Sequence, residues 1–381
     1  MIVGLAVLTI WSYLVFARGA FWRGREFAPS APVILDWPDV IAVVPARDEA
    51  LCVGEAIGSL IRQNYPGSFS IILVDDQSSD GTALIAHRAA TEAGLDGRLE
   101  VLHGLPVPPG WTGKLWAMKQ GYDLARARSP RFVLFTDADI VYEPDVLSSL
   151  VGDAVENQLV LTSLMVDLRC ASLAERALIP AFIFFFQMLY PFAWVNRADR
   201  ATAAAAGGCM LVSRTTLEEA GGLEAIRSAW IDDCALAALL KRHGAIRLAL
   251  TKRVASNRSY DTFAKVGKMI SRSAYAQLGY SPILLTLTVA AMTMVFVAPV
   301  WLSIFATGFD RVGGIAAWLM MTTVFQPTLR SFNLSPLWGV ALPGVAIAYI
   351  CFTLDSAWQC ELGRGGVWKG RAQAKQRMAP P

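Results

Sequence analysis

Charge is scarce in this chain and unevenly withheld. Of its 381 residues only 17% are charged while 54% are hydrophobic, and the mean hydropathy of +0.42 is too high for an ordinary soluble enzyme. No charged side chain occurs in residues 1–17, 273–309, 312–329 or 331–354. Histidine is scarce as well: His87, His103 and His243 are the only three. None of them is accompanied by a nucleophile motif, so a Ser-His-Asp or Cys-His engine finds no support. The six cysteines, at positions 52, 170, 209, 234, 351 and 360, show neither CxxC nor Cys/His spacing. That pattern indicates neither a zinc site nor a disulfide framework, and free thiols fit a cytoplasmic domain. No basic stripe with interleaved aromatics appears in the central part, and a net charge of +3 is small, so no nucleic-acid partner is expected.

The uncharged stretches read as membrane segments around a water-soluble centre. Residues 1–17 are followed by Arg18, Arg23 and Arg25. A cleavable signal peptide carries its positive charge before the apolar stretch, not after it. An uncleaved anchor over 1–20 with its N-terminus outside fits better. Residues 283–307 are long enough to span the ~20 residues that a bilayer needs. Segments 312–327 and 336–354 are shorter candidates. Three crossings in 283–354 would put the tail, 355–381, outside. That tail carries Arg364, Lys369, Arg371, Lys375 and Arg377 against Asp355 and Glu361, and the positive-inside rule keeps such a tail in the cytoplasm. The charge count is followed here, with 312–327 expected to be re-entrant or interfacial. A further apolar run, Ala177–Val195, contains Pro180 and Pro191, which break a simple spanning helix. An interfacial helix with aromatics in lipid is expected there, a buried core helix being the alternative.

Between these segments, strands alternate with helices. Asp39–Pro45, Phe69–Val74, Leu99–Leu102 and Arg131–Thr136 read as strands, with helical periodicity over Glu49–Gln63 and near Lys114–Ala127. Ser78-Ser79-Asp80-Gly81-Thr82 offers capping side chains for the helix that follows it. Such alternation implies a parallel, doubly wound sheet whose ligands bind beyond the carboxyl ends of its strands. The polar clusters Pro45–Glu49, Asp75-Asp76 and Asp137-Ala138-Asp139 all fall at such ends. Two carboxylates one residue apart, Asp137 and Asp139, can share one divalent cation. Hard oxygen ligands suit Mg²⁺ or Mn²⁺, which in turn hold a diphosphate. Taken alone, an Asp-x-Asp is as easily a solvated turn, and an acidic pair such as Asp232-Asp233 can simply complement a helix dipole.

As a set, VPARDEA (44–50), VDDQSSDGT (74–82), FTDAD (135–139) and WIDDCAL (230–236) resemble, in order, the motifs of family 2 glycosyltransferases with the GT-A fold. GWTGKLWAMKQG (110–121) and GRGGVWKGR (363–371) resemble the narrower branch of hopene-associated glycosyltransferases. The resemblance implies a nucleotide-sugar site made of Pro45, Arg47, Glu49, Asp76, Lys114 and Asp137. Glu49 and Asp76 would then face the base and ribose, while Asp75 stabilises the turn or, with Asp76, caps the next helix. Asp139, with Asp137, would hold Mg²⁺ or Mn²⁺. Asp233 would be the general base, paired with Asp232 where the family usually has Glu. Lys114 after Gly110 and Gly113 suits a phosphate or sugar contact, or is an ordinary surface lysine. The small residues Ala203–Gly208 would let an acceptor approach closely, unless they are loosely packed loop. The QxxRW string of processive synthases is absent, which points to transfer of a single sugar; Arg272 is the nearest candidate for its phosphate-binding arginine.

The expectation is an α/β chain: a Rossmann-like GT-A domain over 38–258 with a mostly parallel sheet, facing the cytoplasm between N-terminal and C-terminal transmembrane helices. An interfacial helix over 259–282 links it to the 283–354 segments. The implied activity is an inverting glycosyl transfer, at a bacterial inner membrane, from a nucleotide-diphosphate sugar (UDP before GDP) to the hydroxyl of a membrane lipid, a hopanoid or similar isoprenoid. A polyprenyl-phosphate sugar synthase, or an inactive scaffold that keeps the fold, is the alternative.

Overall fold

In a computed structural model, residues 2–28, 34–365, 367–369 and 371–372 are described. The expected Lys375 and Arg377 of the tail lie outside them. The chain runs through α1 (Ile2–Phe16), β1 (Val40–Ala46), α2 (Val53–Ile61), β2 (Phe69–Asp75), α3 (Thr82–Glu92), β3 (Leu99–His103) and α4 (Gly113–Ala127). It continues with β4 (Phe132–Thr136), β5 (Ile140–Tyr142), α5 (Val146–Glu156), β6 (Leu159–Asp167), α6 (Leu173–Leu189), α7 (Phe192–Val195) and β7 (Cys209–Ser213). Then follow α8 (Arg214–Glu219), α9 (Asp232–Leu240), β8 (Ala245–Ser256), α10 (Phe263–Ala274), α11 (Pro282–Met292), α12 (Ala298–Phe305), α13 (Gly308–Ser331) and α14 (Leu342–Glu361). A hairpin of β9 (Val367–Trp368) and β10 (Arg371–Ala372) ends the described chain.

Eight strands form one sheet in the order β3-β2-β1-β4-β7-β6-β8-β5. The first four are parallel, as the βα alternation requires. Beyond β4 the sheet is mixed: β7 is antiparallel to both β4 and β6, β5 is antiparallel to β8, and β6 and β8 are parallel. A purely parallel sheet is therefore not what forms. The all-apolar runs of β1 and β4 follow from burial on both faces, where Val40, Ala42 and Val44 of β1 pack on one side and Ile41 and Val43 on the other.

The expected capping of α3 takes another form. Its N-cap is Gly81, in the left-handed region at φ 86, with no side-chain cap. Asp80 Oδ1 accepts from Thr82 N at 3.1 Å at the helix start, and the polar side chains around it also reach across to the β1–α2 turn. Ser78 Oγ accepts from Asp48 N at 3.0 Å, Thr82 Oγ1 from Glu49 N at 2.8 Å, and Asp80 Oδ2 from Ala50 N at 2.9 Å. These bonds fix the loop that carries Arg47 and Glu49.

A third core gathers α1, α6, α10, α12, α13 and α14. Residues Ala177–Val195 fold as the greater part of α6 and as α7, with Leu178, Ile179, Ala181 and Phe184 buried among the other helices, Phe192 and Val195 against the sheet, and Leu189 exposed. The N-terminus of α6 carries a capping box of Ser172 and Glu175. Glu175, fully buried, also accepts from Tyr260 N at 2.8 Å through Oε1 and so ties the segment after β8 to this helix. Residues 312–327 form no re-entrant loop; they lie within α13, an unbroken helix of 24 residues. Pro299 cannot donate to Val295, four residues earlier, and a π-turn over Thr293–Val297 accommodates it. The carbonyl of Val295 accepts from Trp11 Nε1 at 2.7 Å instead, which locks α1 to the α11–α12 helix.

The starts of α1 and α13 lie together, since Gly4 N donates to Asp310 Oδ1 at 2.7 Å. At the other end, Arg18 donates to the carbonyls of Met188 and Leu189, beside the α/β domain. After α13 the chain folds back: Gln326 Nε2 donates to Pro336 O at 3.2 Å and Thr322 Oγ1 to Gly339 O at 3.4 Å. So α14 starts part-way along α13 and runs back towards α10, where Tyr275 N donates to Ser356 Oγ at 3.0 Å. Helix α10 is amphipathic, with Val266, Gly267 and Ile270 buried. A Cβ on Gly313 would meet Gly4 O at 2.6 Å. Gly313→Leu is therefore expected to destabilise the α1–α13 contact by about 2 kcal/mol. Thermal unfolding in detergent checks this, and an unchanged midpoint would contradict the close packing.

Candidate active site

The carboxylate clusters meet at the carboxyl ends of β1, β2 and β4 and at the start of α9, and cations sit between them. Lys114, in the first turn of α4, places Nζ 2.9 Å from Asp137 Oδ1 and 3.1 Å from Asp232 Oδ2. Arg258, just past β8, donates from Nε to Asp139 Oδ2 at 2.9 Å and from Nη2 to Glu49 Oε1 and Oε2 at 2.6 and 2.5 Å. Arg47 donates from Nη1 to Asp76 O at 2.5 Å and lies 3.7 Å from Asp76 Oδ2. Each bridge thus joins side chains that are distant in sequence, which is how the separate motifs become one cleft.

Burial governs the electrostatics. It would by itself lower the pKa of Lys114, but Asp137 and Asp232 outweigh it and hold the ammonium strongly charged. Burial raises the pKa of Asp137, opposed by Lys114 and reinforced by Asp139 and Asp232. Asp233 is pushed up to about 6, first by burial and then by Asp232, against Lys114 and the amides of Cys234 and Gly207. Its Oδ2 accepts from Gly207 N at 2.9 Å and its Oδ1 from Cys234 N at 2.7 Å. A Cβ on Gly207 would stand 3.3 Å from both Asp233 Oδ2 and Lys114 Nζ. The close approach at Ala203–Gly208 therefore serves the protein's own carboxylate, where an approaching acceptor was expected.

The remaining expected residues divide. Pro45 is buried in β1, opposite Val74 of β2. Asp75 turns to the backbone and accepts from Ser78 N at 3.1 Å. Asp76 has a fully covered side chain beneath Arg47. Glu49 likewise faces Arg258. Arg272 is exposed and makes no ion pair among the described residues; its carbonyl accepts from Trp230 Nε1 at 2.9 Å. Arg258 escaped the sequence reading. Its signal was present, since it follows a strand end in the polar string Ser256-Asn257-Arg258, yet only pairing shows which carboxylates it reaches.

Asp137 and Asp139 offer hard oxygen donors, and among the described residues no third acidic, His or Cys side chain completes a metal cage around them. That set fits Mg²⁺ or Mn²⁺ in the manner of sites that take their remaining ligands from substrate phosphates and water. The charge count agrees: Glu49, Asp76, Asp137, Asp139, Asp232 and Asp233 outnumber Arg47, Lys114, Arg258 and Lys369 around the cleft.

Residues 41–221, just under half of the chain, match the family model of glycosyl transferase family 2. The enzyme class is glycosyltransferase. Among solved structures, the mannosyltransferase PcManGT from Pyrobaculum calidifontis, in complex with GDP-Man and Mn²⁺, is similar at 17% identity, covering 93% of this chain and 99% of that one with a TM-score of 0.54. The glucosyl-3-phosphoglycerate synthase of Mycobacterium tuberculosis, in complex with Mg²⁺ and uridine-diphosphate, is 17% identical over 67% of this chain and 86% of that chain, with a TM-score of 0.43. TarS of S. aureus is 14% identical over 84% and 54%, with a TM-score of 0.41. The first likeness is one of fold, and the looser two carry no further argument. No curated protein matches the chain. The matched region of the glycosyltransferase domain ends before Asp232, so the roles of Asp232, Asp233 and Arg258 rest on their geometry.

Removing Arg258 would leave Glu49 and Asp139 buried together without their shared cation. Arg258→Met is expected to cost about 3 kcal/mol, read as a lower denaturant midpoint; a variant as stable as the parent would show the bridge to be idle.

Proposed function

We propose that this glycosyltransferase transfers a single sugar, with inversion, from a nucleotide-diphosphate sugar to a hydroxyl group of a membrane lipid. The observation that carries the reading is Asp233. Its carboxylate is aimed by the Gly207 amide, lies beside the Lys114 bridge to Asp137, and has a pKa near 6. Such a group is ionised at neutral pH yet basic enough to take the acceptor proton as the hydroxyl oxygen attacks the anomeric carbon. Lys114 stands where it can steady the donor's developing negative charge. Asp137 and Asp139 would hold Mg²⁺ or Mn²⁺, which when bound stabilises the leaving diphosphate. UDP is the favoured carrier, on the resemblance of the β1 and β2 motifs.

The acceptor side points to a membrane. The Tyr190 hydroxyl lies against the Cys234 thiol, next to the base, and accepts from Gln277 Nε2 at 2.6 Å. Tyr190 ends α6 and Gln277 follows α10, the two elements that join the domain to the helical bundle. That bundle exposes apolar side chains along α11–α12, among them Ile283, Leu287, Trp301 and Phe305. Leu173–Val195, Pro282–Phe305 and Gly308–Ser331 are long and apolar enough to cross a bilayer; of these the first is the most covered by protein, which favours the other two. In the proposed topology α1, α11–α12 and α13 cross, while α14 starts part-way along α13 and returns. This keeps the catalytic domain and the basic tail together on the cytoplasmic side of a bacterial inner membrane. A lipid acceptor never leaves the bilayer, so the base must stand at its surface. The resemblance to the hopene-associated branch makes a hopanoid or related polycyclic isoprenoid the proposed acceptor.

Asp233→Asn is expected to lower sugar transfer by about a thousandfold while nucleotide binding persists. In the parent, kcat/KM should fall about tenfold per pH unit below pH 6, because the base works only when deprotonated. A transfer rate independent of pH from 5 to 8, or an active Asn variant, would remove Asp233 from this role. Enzyme incubated with lipid extract and a labelled UDP-sugar should carry label into the organic phase, as mass spectrometry would show; label found only on water-soluble products would contradict a lipid acceptor.

A further inference from the structure

The sequence leaves the basic residues Lys369 and Arg371 of the tail two readings, contact with a membrane surface or, as the alternative, reach to the diphosphate, and Lys369 lies at the cleft. It sits at the turn of the β9–β10 hairpin with φ 47, between the paired residues Trp368 and Arg371. Its Nζ lies 2.8 Å from Glu49 Oε1 and donates to Asp48 O at 3.0 Å, and its own carbonyl accepts from Arg47 Nε at 3.3 Å. The ammonium is therefore turned into the cleft at the end of β1. One carboxylate, Glu49, gathers two cations, Lys369 and Arg258. Neither is used up. An ammonium has three donors and a guanidinium five; two of the first are engaged, and Nη1 of Arg258 has no partner among the described residues. Spare N–H groups on adjacent cations, held by a carboxylate too buried to move, are what a diphosphate recognises.

We propose that the C-terminal hairpin is a strap that completes the donor site, with Lys369 binding the donor's diphosphate beside Arg258 while Glu49 positions both cations. This rests on the nucleotide-sugar reading above. The strap follows directly on α14, so a piece of the helical bundle's own chain contributes to the nucleotide site. Glu49 is then an organiser of cations, in place of a ribose contact.

Calorimetry of full-length protein in detergent tests this, with UDP, GDP and uridine titrated into the parent, Lys369→Gln and Lys369→Arg. Lys369→Gln is expected to weaken nucleoside diphosphate binding about tenfold, to leave uridine binding as it was, and to be largely rescued in Lys369→Arg. Unchanged diphosphate affinity in Lys369→Gln would overturn the strap, and so would tighter binding, which would mark the hairpin as a plug. A parent that binds neither UDP nor GDP would overturn the donor reading itself and the strap with it.

Discussion

Carboxylates packed into one cleft repel each other, and the organisation of this protein follows from how that repulsion is relieved. Glu49 and Asp139 share Arg258, Asp137 and Asp232 share Lys114, and Asp76 is covered by Arg47. An unpaired buried charge costs several kcal/mol, whereas a paired and hydrogen-bonded one is tolerated. Each cation therefore holds together two pieces of chain that would otherwise separate. Asp233 is the partial exception. Backbone amides rather than a side-chain cation hold both its oxygens, and its pKa rises as a result of burial and of Asp232. Relief of charge and storage of basicity are thus assigned to different carboxylates of the same site.

The scaffold is built to present those pairs. Parallel strands bring the ends of β1, β2 and β4 to one edge, and the antiparallel β7 leads the Gly207–Gly208 turn to the same edge, under α9. Arg258 reaches the site from β8 on the far half of the sheet, and its segment is steadied by Glu175 at the start of α6. Because α6 also packs inside the helical bundle, the element that steadies the Arg258 segment also meets the apolar helices.

Much of this was legible along the chain. The first four strands and the helices between them followed from apolar runs bounded by turn residues, with strand ends displaced by a residue and the start of α2 by four. The acidic pairs stood out as an ordered set, since each taken alone also has a structural use. Where the structure adds to or departs from the sequence pattern, the cause is contact at a distance. Ser78 and Thr82 offered local caps, yet their oxygens also accept from amides some thirty positions away. Residues 312–327 were expected to be re-entrant or interfacial from the charge of the tail, while the helix itself runs from Gly308 to Ser331. Ala177–Val195 is largely apolar, and apolarity does not say whether protein or lipid supplies the cover.

The sequence by itself determined the strand–helix alternation, the uncharged helices and the chemical identity of the candidate groups, since these depend on periodicity and side-chain type over short distances. Only the tertiary structure decided which cation serves which carboxylate, which glycine aims Asp233, how the sheet becomes mixed beyond β4, and that a tail lysine faces Glu49. Those outcomes depend on contacts between residues up to 321 positions apart, and ion pairing falls off over a few ångströms of space without regard to distance along the chain.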